Sequence, residues 1–261
     1  MLGLGLAKKI GLGKIVEKLI LKRNNFILKK KLYHQSLEVK KRNKQKVFVI
    51  GFNKTGTTSL GYTLEKMGYI VANQMQGELL FDCWLNNKYQ KIFEYCRTAE
   101  VFQDAPFSFP ETYLHLDNAF PNSKFILTIR DSPEQWYQSL ISFHGKMWGK
   151  GNVPPTYENL KEANYIYKGF PYISQKQLFK TPDNDLYHKK TLIDTYTNHQ
   201  KAVENYFIDK PQQLLTINIA NANDFKKLCN FVNINPPFTN FPHISSTKIA
   251  SKEYECNFLK S

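Results

Sequence analysis

Four short, mainly apolar runs, separated by segments of helical periodicity, constrain what this 261-residue chain can fold into. They span residues 46–51, 100–103, 124–129 and 213–219, and the run at 124–129 is the clearest of them. Apolar runs of this length are typical of parallel strands that are buried on both faces. Because helical segments lie between the runs, the sequence predicts an α/β fold with a central parallel sheet flanked by helices. Ligands of such sheets bind beyond the carboxyl ends of the strands.

The loop after the first strand has the composition of an anion-binding turn. It runs Gly51-Phe-Asn-Lys-Thr-Gly-Thr-Thr-Ser59 and precedes a predicted helix, so backbone N–H groups and a helix N-terminus meet there. Gly51 and Gly56 have the spacing of the nucleotide-triphosphate loop GxxxxGK[ST], but Thr57 replaces its lysine and Lys54 lies inside the loop. Such a loop suits a phosphate carrying one sulfuryl group, which has fewer charges and can be bound without a metal. The alternative is a turn that only caps the helix.

The loop and two further segments resemble sulfotransferases that use 3′-phosphoadenosine 5′-phosphosulfate (PAPS). The segment 51–60 is similar to their 5′-phosphosulfate loop, and 124–131 followed by Trp136-Tyr-Gln-Ser-Leu140 is similar to their 3′-phosphate motif. Val101-Phe-Gln-Asp-Ala-Pro106 resembles the segment that carries their catalytic base. The resemblance is specific over roughly 47–144 and weaker over 187–243, and it implies a three-layer P-loop-type fold.

The resemblance implies a PAPS site made from the loop and from the end of the third strand. Lys54 would contact the oxygen that bridges sulfate and phosphate, and would stabilise charge on the leaving group. Arg130 would hold the 3′-phosphate together with Ser139 of the following helix. Ser139 lies nine residues after Arg130 where the family usually has eight, so Ser132 is the alternative. The 5′-phosphate would be bound by Thr55, Gly56, Thr57, Thr58 and Ser59.

Two residues are candidates for the base that takes the proton of the acceptor. Asp104 precedes Ala105-Pro106, at the position where many cytosolic members of the family have His. A carboxyl has an ordinary pKa of about 3.9, so Asp104 needs partial burial to serve as a base, and its alternative role is a helix or turn cap. His144 follows a helix predicted over 133–143, and the ordinary pKa of its imidazole suits a base. The alternative for His144 is a partly exposed side chain at the end of that helix.

Most of the positive charge lies in the N-terminal extension over residues 1–46. The extension carries 14 Lys and Arg and two acids, which is +12 of the net charge of +14. Apolar residues recur among the lysines at helical intervals. This pattern fits an amphipathic helix, either on an anionic membrane surface or packed on the domain predicted over 47–261.

The cysteines and the hydropathy favour a cytoplasmic location, and the basic extension leaves a peripheral position at a membrane surface open. The chain has no run of about 18 apolar residues, as a membrane-spanning helix requires. Its four cysteines lie far apart without a CxxC pair, which argues against a zinc site or a disulfide scaffold and indicates a reducing compartment. No nucleic-acid partner is expected.

Residues 145–187 are predicted to form a long irregular stretch that acts as a lid over the acceptor. The aromatic residues in it include Trp148, Tyr157, Tyr165, Tyr167, Phe170 and Tyr172. Aromatic rings stack on sugars or phenols, but they also build ordinary cores. The acceptor therefore stays open between a glycan, a lipid and a small molecule.

The predicted function is transfer of the sulfuryl group of PAPS to a hydroxyl or amine, with no metal required. Two alternatives stay open. One is a P-loop kinase, which is disfavoured because the loop lacks the Lys-Ser/Thr ending and no Mg²⁺-binding acid is evident after an apolar strand. The other is a non-enzymatic protein whose basic extension binds a membrane or another anion.

Overall fold

The computed structural model describes residues 13–242, without the side chains of 13–21 and Asn25. Within this range the chain forms eleven α-helices and four β-strands. The strands are β1 (Val47–Val49), β2 (Val101–Phe102), β3 (Lys124–Thr128) and β4 (Leu214–Ile217). The helices are α1 (Gly13–Arg42), α2 (Thr57–Lys66), α3 (Gln74–Glu78), α4 (Phe81–Leu85), α5 (Tyr89–Tyr95), α6 (Thr112–Ala119), α7 (Pro133–Trp148), α8 (Tyr157–Glu162), α9 (Phe170–Phe179), α10 (Lys189–Tyr206) and α11 (Ala222–Val232).

The four strands form one parallel sheet in the order β2-β1-β3-β4. In β1, Val47 pairs with Val101 of β2 on one side and with Lys124 of β3 on the other. β3 pairs in turn with β4, where Phe125 lies opposite Leu214. The predicted parallel α/β sheet is confirmed. Because all four strands run the same way, their carboxyl ends meet at one edge of the sheet.

Helices cover both faces of the sheet, because successive side chains of a strand point to opposite sides. Phe48 of β1 packs into a cluster with residues of α5, α6 and α10. Val47 and Val49 pack on the other face, with Leu60 of α2 and Leu228 of α11. The molecule therefore has the three layers, helix, sheet and helix, that were predicted for a P-loop-type fold.

The four predicted strands are present, and one predicted region differs. The prediction of irregular structure over 145–187 is wrong, because α7 continues to Trp148 and the region also contains α8 and α9. α8 has only six residues, which is too short to show a helical period in the sequence.

The described part of the basic extension is a single helix that contacts the domain. Val39 of α1 is buried, and Leu32 packs against the cluster around Phe48. Near the end of the helix, the Arg42 Nε lies 2.8 Å from a carboxylate oxygen of Glu100. Among residues 13–242, no helix combines the length and the hydropathy needed to cross a bilayer. The cytoplasmic location stays a prediction.

Candidate active site

A cavity of about 630 Å³ lies at the carboxyl edge of the sheet. Its polar end is formed by the segments that follow β1, β2 and β3, and comprises Lys54, Thr57, Thr58, Ser59, Asp104 and Arg130. Its aromatic end comprises Phe109, Phe143, Met147, Trp148, Tyr165 and Phe170. The cavity therefore joins a charged compartment to a mainly apolar one.

Two close approaches determine the course of the loop over 51–56. A Cβ atom at Gly51 would lie 2.3 Å from the carbonyl oxygen of Thr128 in β3, so a side chain there would collide with the strand. Gly56 has a φ of 96°, and a Cβ atom there would lie 2.8 Å from Ile219. Glycine adopts this left-handed conformation without steric cost. The two glycines thus let the backbone turn tightly between β1 and the N-terminus of α2.

The side chains of Thr55 and Trp136 fix the loop by hydrogen bonds on the side away from the cavity. Neither role was predicted from the sequence. The Thr55 hydroxyl donates to the Phe52 carbonyl oxygen at 2.5 Å and lies 2.5 Å from the Thr128 hydroxyl. The indole N–H of Trp136 donates to the Asn53 carbonyl oxygen at 3.1 Å. Because the Thr55 hydroxyl is engaged inside the protein, a contact between Thr55 and a phosphate would have to come from its backbone N–H.

Arg130, two residues beyond the end of β3, is joined to the same loop. Its Nε donates to the Lys54 carbonyl oxygen at 2.5 Å, and its backbone N–H donates to the Tyr196 hydroxyl at 3.0 Å. The Tyr196 ring stacks on Trp136 with centroids 4.4 Å apart. The lysine-bearing loop and the arginine therefore line one cavity, which is the arrangement that a shared nucleotide requires.

The amine of Lys54 lies where the two ends of the cavity meet. Its Nζ is 3.4 Å from the centroid of the Phe143 ring, which is a cation–π contact. Burial lowers the pKa of Lys54 to about 8; the carboxylate of Asp104 opposes this shift, and the positive charges of Arg130 and Lys146 add to it. An amine with this pKa is mostly protonated at neutral pH and loses its charge as the pH rises through about 8.

Asp104 is buried two residues after β2 and faces the loop. Its backbone has a left-handed φ of 55°, and its Oδ1 accepts a hydrogen bond of 3.0 Å from the Thr57 hydroxyl. Its charge also raises the pKa of Lys54, so the two side chains interact. The turn that follows is closed by the Asp104 carbonyl oxygen, which accepts from the Ser108 N–H. The backbone of Asp104 thus stabilises the turn, and its carboxylate lies at the polar end of the cavity.

His144 lines the cavity from α7 and is deeply buried. Its Nδ1 lies 2.8 Å from the Tyr187 hydroxyl, and its ring centroid lies 4.7 Å from that of Trp148. Burial, together with the positive charge of Lys54, lowers the pKa of His144 to about 3, so its imidazole is neutral at physiological pH. The alternative of a partly exposed His at a helix end is wrong, because α7 continues one more turn.

The two serines considered for the 3′-phosphate lie outside the cavity lining. Ser132 is the N-cap of α7, and its hydroxyl accepts a 3.1 Å hydrogen bond from the Gln135 N–H. Pro133 follows at the start of the helix, where its fixed φ suits the first turn. Ser139 is half-buried further along the same helix. Neither Ser132 nor Ser139 lines the cavity, and their contact with a 3′-phosphate stays a prediction.

Asp104 also bears on the kinase alternative. It is an acid that closely follows an apolar strand and accepts a hydrogen bond from the Thr57 hydroxyl, so one feature of a kinase site is present. The loop nevertheless lacks the Lys-Ser/Thr ending that binds triphosphate and Mg²⁺. Throughout the described range 13–242, no three His, Cys, Asp or Glu side chains cluster so that they could hold a metal.

The aromatic end is assembled from segments that are far apart in the sequence. Phe109 follows β2, Phe143 lies on α7, and Phe170 begins α9. Four polar side chains that the sequence analysis did not single out also line the cavity: Gln74, Glu78, Ser174 and Gln175. No local pattern marks them, because they come together only where α3 and α9 line the same cavity. Residues of the predicted lid line this end, and its role as a lid stays a prediction.

A family model described as "Sulfotransferase domain" matches residues 46–249, which is about three quarters of the chain. The matched range contains the loop, Asp104, Arg130 and all other residues that line the cavity. Among curated proteins, no match was found.

Proposed function

Because the chain belongs to the sulfotransferase domain family and has the general activity of that family, we propose that PAPS is its donor and that its acceptor is a hydroxyl or an amine. One observation carries this proposal: Lys54 and Arg130 line the same cavity and are joined by a 2.5 Å hydrogen bond from the Arg130 Nε to the Lys54 carbonyl oxygen. PAPS carries negative charge on both the 5′ and the 3′ side of its ribose. Two cationic side chains at one strand edge suit such a molecule.

The donor would be held mainly by the polar end. Its 5′-phosphate would lie at the N-terminus of α2, near the hydroxyls of Thr58 and Ser59 and the backbone N–H groups of 55–59. Arg130 would bind the 3′-phosphate through its guanidinium, which is permanently charged and can donate two parallel hydrogen bonds. Lys54 would contact the oxygen that bridges phosphorus and sulfur. No metal is needed for this set of contacts, since the cations come from side chains.

The reaction would be an in-line transfer. The acceptor oxygen or nitrogen forms a bond to sulfur while the bond from sulfur to the 5′-phosphate oxygen breaks, and the electron pair remains on that phosphate. The protonated amine of Lys54 would stabilise the negative charge that develops there. The products are the sulfated acceptor and 3′-phosphoadenosine 5′-phosphate.

Asp104 would accept the proton that the acceptor loses. It is buried at the polar end of the cavity, where it interacts with Lys54, and a carboxylate within hydrogen-bond reach of the acceptor can act as a general base. His144 is the second candidate and also lines the cavity. A pKa near 3 makes its imidazole a weaker base than an exposed one, which favours Asp104.

The acceptor would bind at the aromatic end. Rings such as Trp148 and Phe170 offer flat apolar faces, and Glu78 and Gln175 offer polar atoms among them. Such a lining suits a hydroxyl-bearing molecule with an apolar face, whether a sugar of a glycan, a lipid or a small molecule. A screen with labelled PAPS against pooled glycans, lipids and small alcohols would identify the class.

The donor is tested by calorimetry with 3′-phosphoadenosine 5′-phosphate and with AMP, which lacks the 3′-phosphate. We expect the wild-type protein to bind the bisphosphate at least about 100-fold more tightly, since charge-assisted contacts to the extra phosphate are lost with AMP. Arg130→Ala should bring the two affinities close together. Lys54→Ala should weaken both nucleotides.

The exposed residues Lys66 and Arg97 supply matched controls, and Lys66→Ala and Arg97→Ala should bind both nucleotides like the wild type. If Arg130 only braced the loop, Arg130→Ala would weaken both nucleotides equally and leave their ratio unchanged. Equal wild-type affinity for AMP and the bisphosphate would refute PAPS as the donor. Mg²⁺-dependent turnover of ATP would favour the kinase instead.

A further inference from the structure

We propose that the solvent-facing side of α1 binds an anionic membrane surface and holds the catalytic domain beside it. The helix has 30 residues, and the side chains from Lys22 onward are described, apart from Asn25. At 100° per residue, those side chains divide into two opposite faces. The face toward the domain and the face toward solvent have different chemistry.

The domain-facing side of α1 uses residues at intervals of three and four. Leu28 and Leu32 are half-buried, and Val39 is buried. Arg42 continues this side and pairs with the fully buried carboxylate of Glu100 at 2.8 Å. This packing fixes the rotation of the helix about its axis. The opposite side is therefore held in solvent and cannot turn inward.

The solvent-facing side carries large apolar residues in a line. Phe26, Tyr33 and Leu37 are 69%, 62% and 48% exposed. Their spacings of seven and four residues place them along one stripe, opposite Leu28 and Val39. Exposed basic residues border the stripe on both sides, namely Lys22, Lys29 and Lys40 on one side and Arg23, Lys30 and Lys41 on the other.

An apolar stripe between two rows of cations fits the interface of a membrane that contains anionic lipid. The apolar side chains would enter the boundary between headgroups and acyl chains, and the lysines would remain at the level of the headgroup phosphates. Nucleic acid would use the cations but leave Phe26, Tyr33 and Leu37 in water. An apolar stripe together with two rows of cations therefore favours a lipid surface over nucleic acid.

The test is flotation of the full-length protein with vesicles of phosphatidylcholine, with and without phosphatidylserine. Wild-type protein should float with the phosphatidylserine vesicles only. Each Lys→Gln change near the surface should weaken binding about fivefold, so Lys30→Gln with Lys40→Gln should weaken it roughly 25-fold. The triple change Phe26→Ser, Tyr33→Ser and Leu37→Ser should weaken it by about tenfold or more.

Matched controls exist outside the helix. Ile208 is 71% exposed, so Ile208→Ser removes an exposed apolar side chain elsewhere, and Lys201→Gln with Lys226→Gln removes two exposed charges. These variants should float like the wild type. Thermal unfolding would check that every variant is folded.

Three results would overturn the proposal. They are equal flotation with both kinds of vesicle, binding that the triple apolar variant retains in full, and binding of a DNA or RNA duplex without flotation. Vesicle binding needs no nucleotide and no acceptor. Its outcome is therefore independent of whether PAPS proves to be the donor.

Discussion

The two ends of the cavity are built in different ways, although Lys54 lies where they meet. The polar end comes from short segments that directly follow β1, β2 and β3, so the hydrogen-bonded sheet determines where its side chains begin. The aromatic end comes from α7, α9 and the loops that carry Phe109 and Tyr165, whose positions depend on how helices pack. In the proposed mechanism, donor binding is therefore tied to the sheet, whereas the acceptor site can vary with helix packing while the sheet stays the same.

The two ends also differ in charge. At the polar end, the charges of Asp104 and Arg130 both change the pKa of Lys54, in opposite directions. The aromatic end has mainly apolar side chains. Changes at the polar end should therefore have large and pH-dependent effects, and changes toward the aromatic end should have small ones.

The largest expected effect is that of Asp104→Asn on turnover. The amide oxygen can still accept the hydrogen bond from the Thr57 hydroxyl, but an amide cannot take a proton from the acceptor. Loss of a general base costs about 10²–10⁴ in rate. We expect turnover of labelled PAPS to fall by that amount, while calorimetry shows binding of 3′-phosphoadenosine 5′-phosphate to be undiminished.

His144→Gln separates the two candidate bases. We expect it to lower turnover less than Asp104→Asn does, because a pKa lowered to about 3 makes the imidazole of His144 a poor proton acceptor. A larger loss with His144→Gln, in a variant that melts like the wild type, would transfer the role of base to His144. Equal turnover of Asp104→Asn and the wild type would remove Asp104 from the mechanism.

Much of the fold and of the polar end could be predicted from the sequence, because both depend on local signals. Buried parallel strands are short apolar runs, and an anion loop needs Gly51 and Gly56 within a few residues of Lys54. The cap formed by Ser132 is likewise local. These features are adjacent in the chain, so their chemistry can be recognised before the fold is known.

The remaining parts of the site depend on contacts between distant segments. Tyr196 binds the backbone of Arg130 across 66 residues of chain, and Glu78 reaches the cavity from α3. The burial of His144, which lowers its pKa, arises only when the ring packs beside Tyr187 and Trp148. α8, with its six residues, was missed because so short a helix has no visible period.

A smaller effect is expected from pH. In the proposed donor site, the protonated amine of Lys54 would bind the anionic nucleotide. Its pKa of about 8 means that the charge is present below that pH and lost above it. We therefore expect the affinity for 3′-phosphoadenosine 5′-phosphate to fall about tenfold between about pH 7 and about pH 9. The affinity of Lys54→Ala should be nearly independent of pH over this range. A wild-type affinity that is constant, or that rises with pH, would contradict the role given to Lys54.

The smallest effect concerns Phe143, which links the two ends of the cavity. Its ring lies 3.4 Å from the Lys54 Nζ and stabilises the charged amine, an interaction of about 0.5–2 kcal/mol in proteins. Phe143→Leu keeps an apolar side chain but removes the ring, so it should move the midpoint of the pH dependence downward by about one unit or less. Met147→Leu on the same helix is the matched control and should leave the midpoint in place. An unchanged midpoint in Phe143→Leu would show that the polar end is electrostatically independent of the aromatic end.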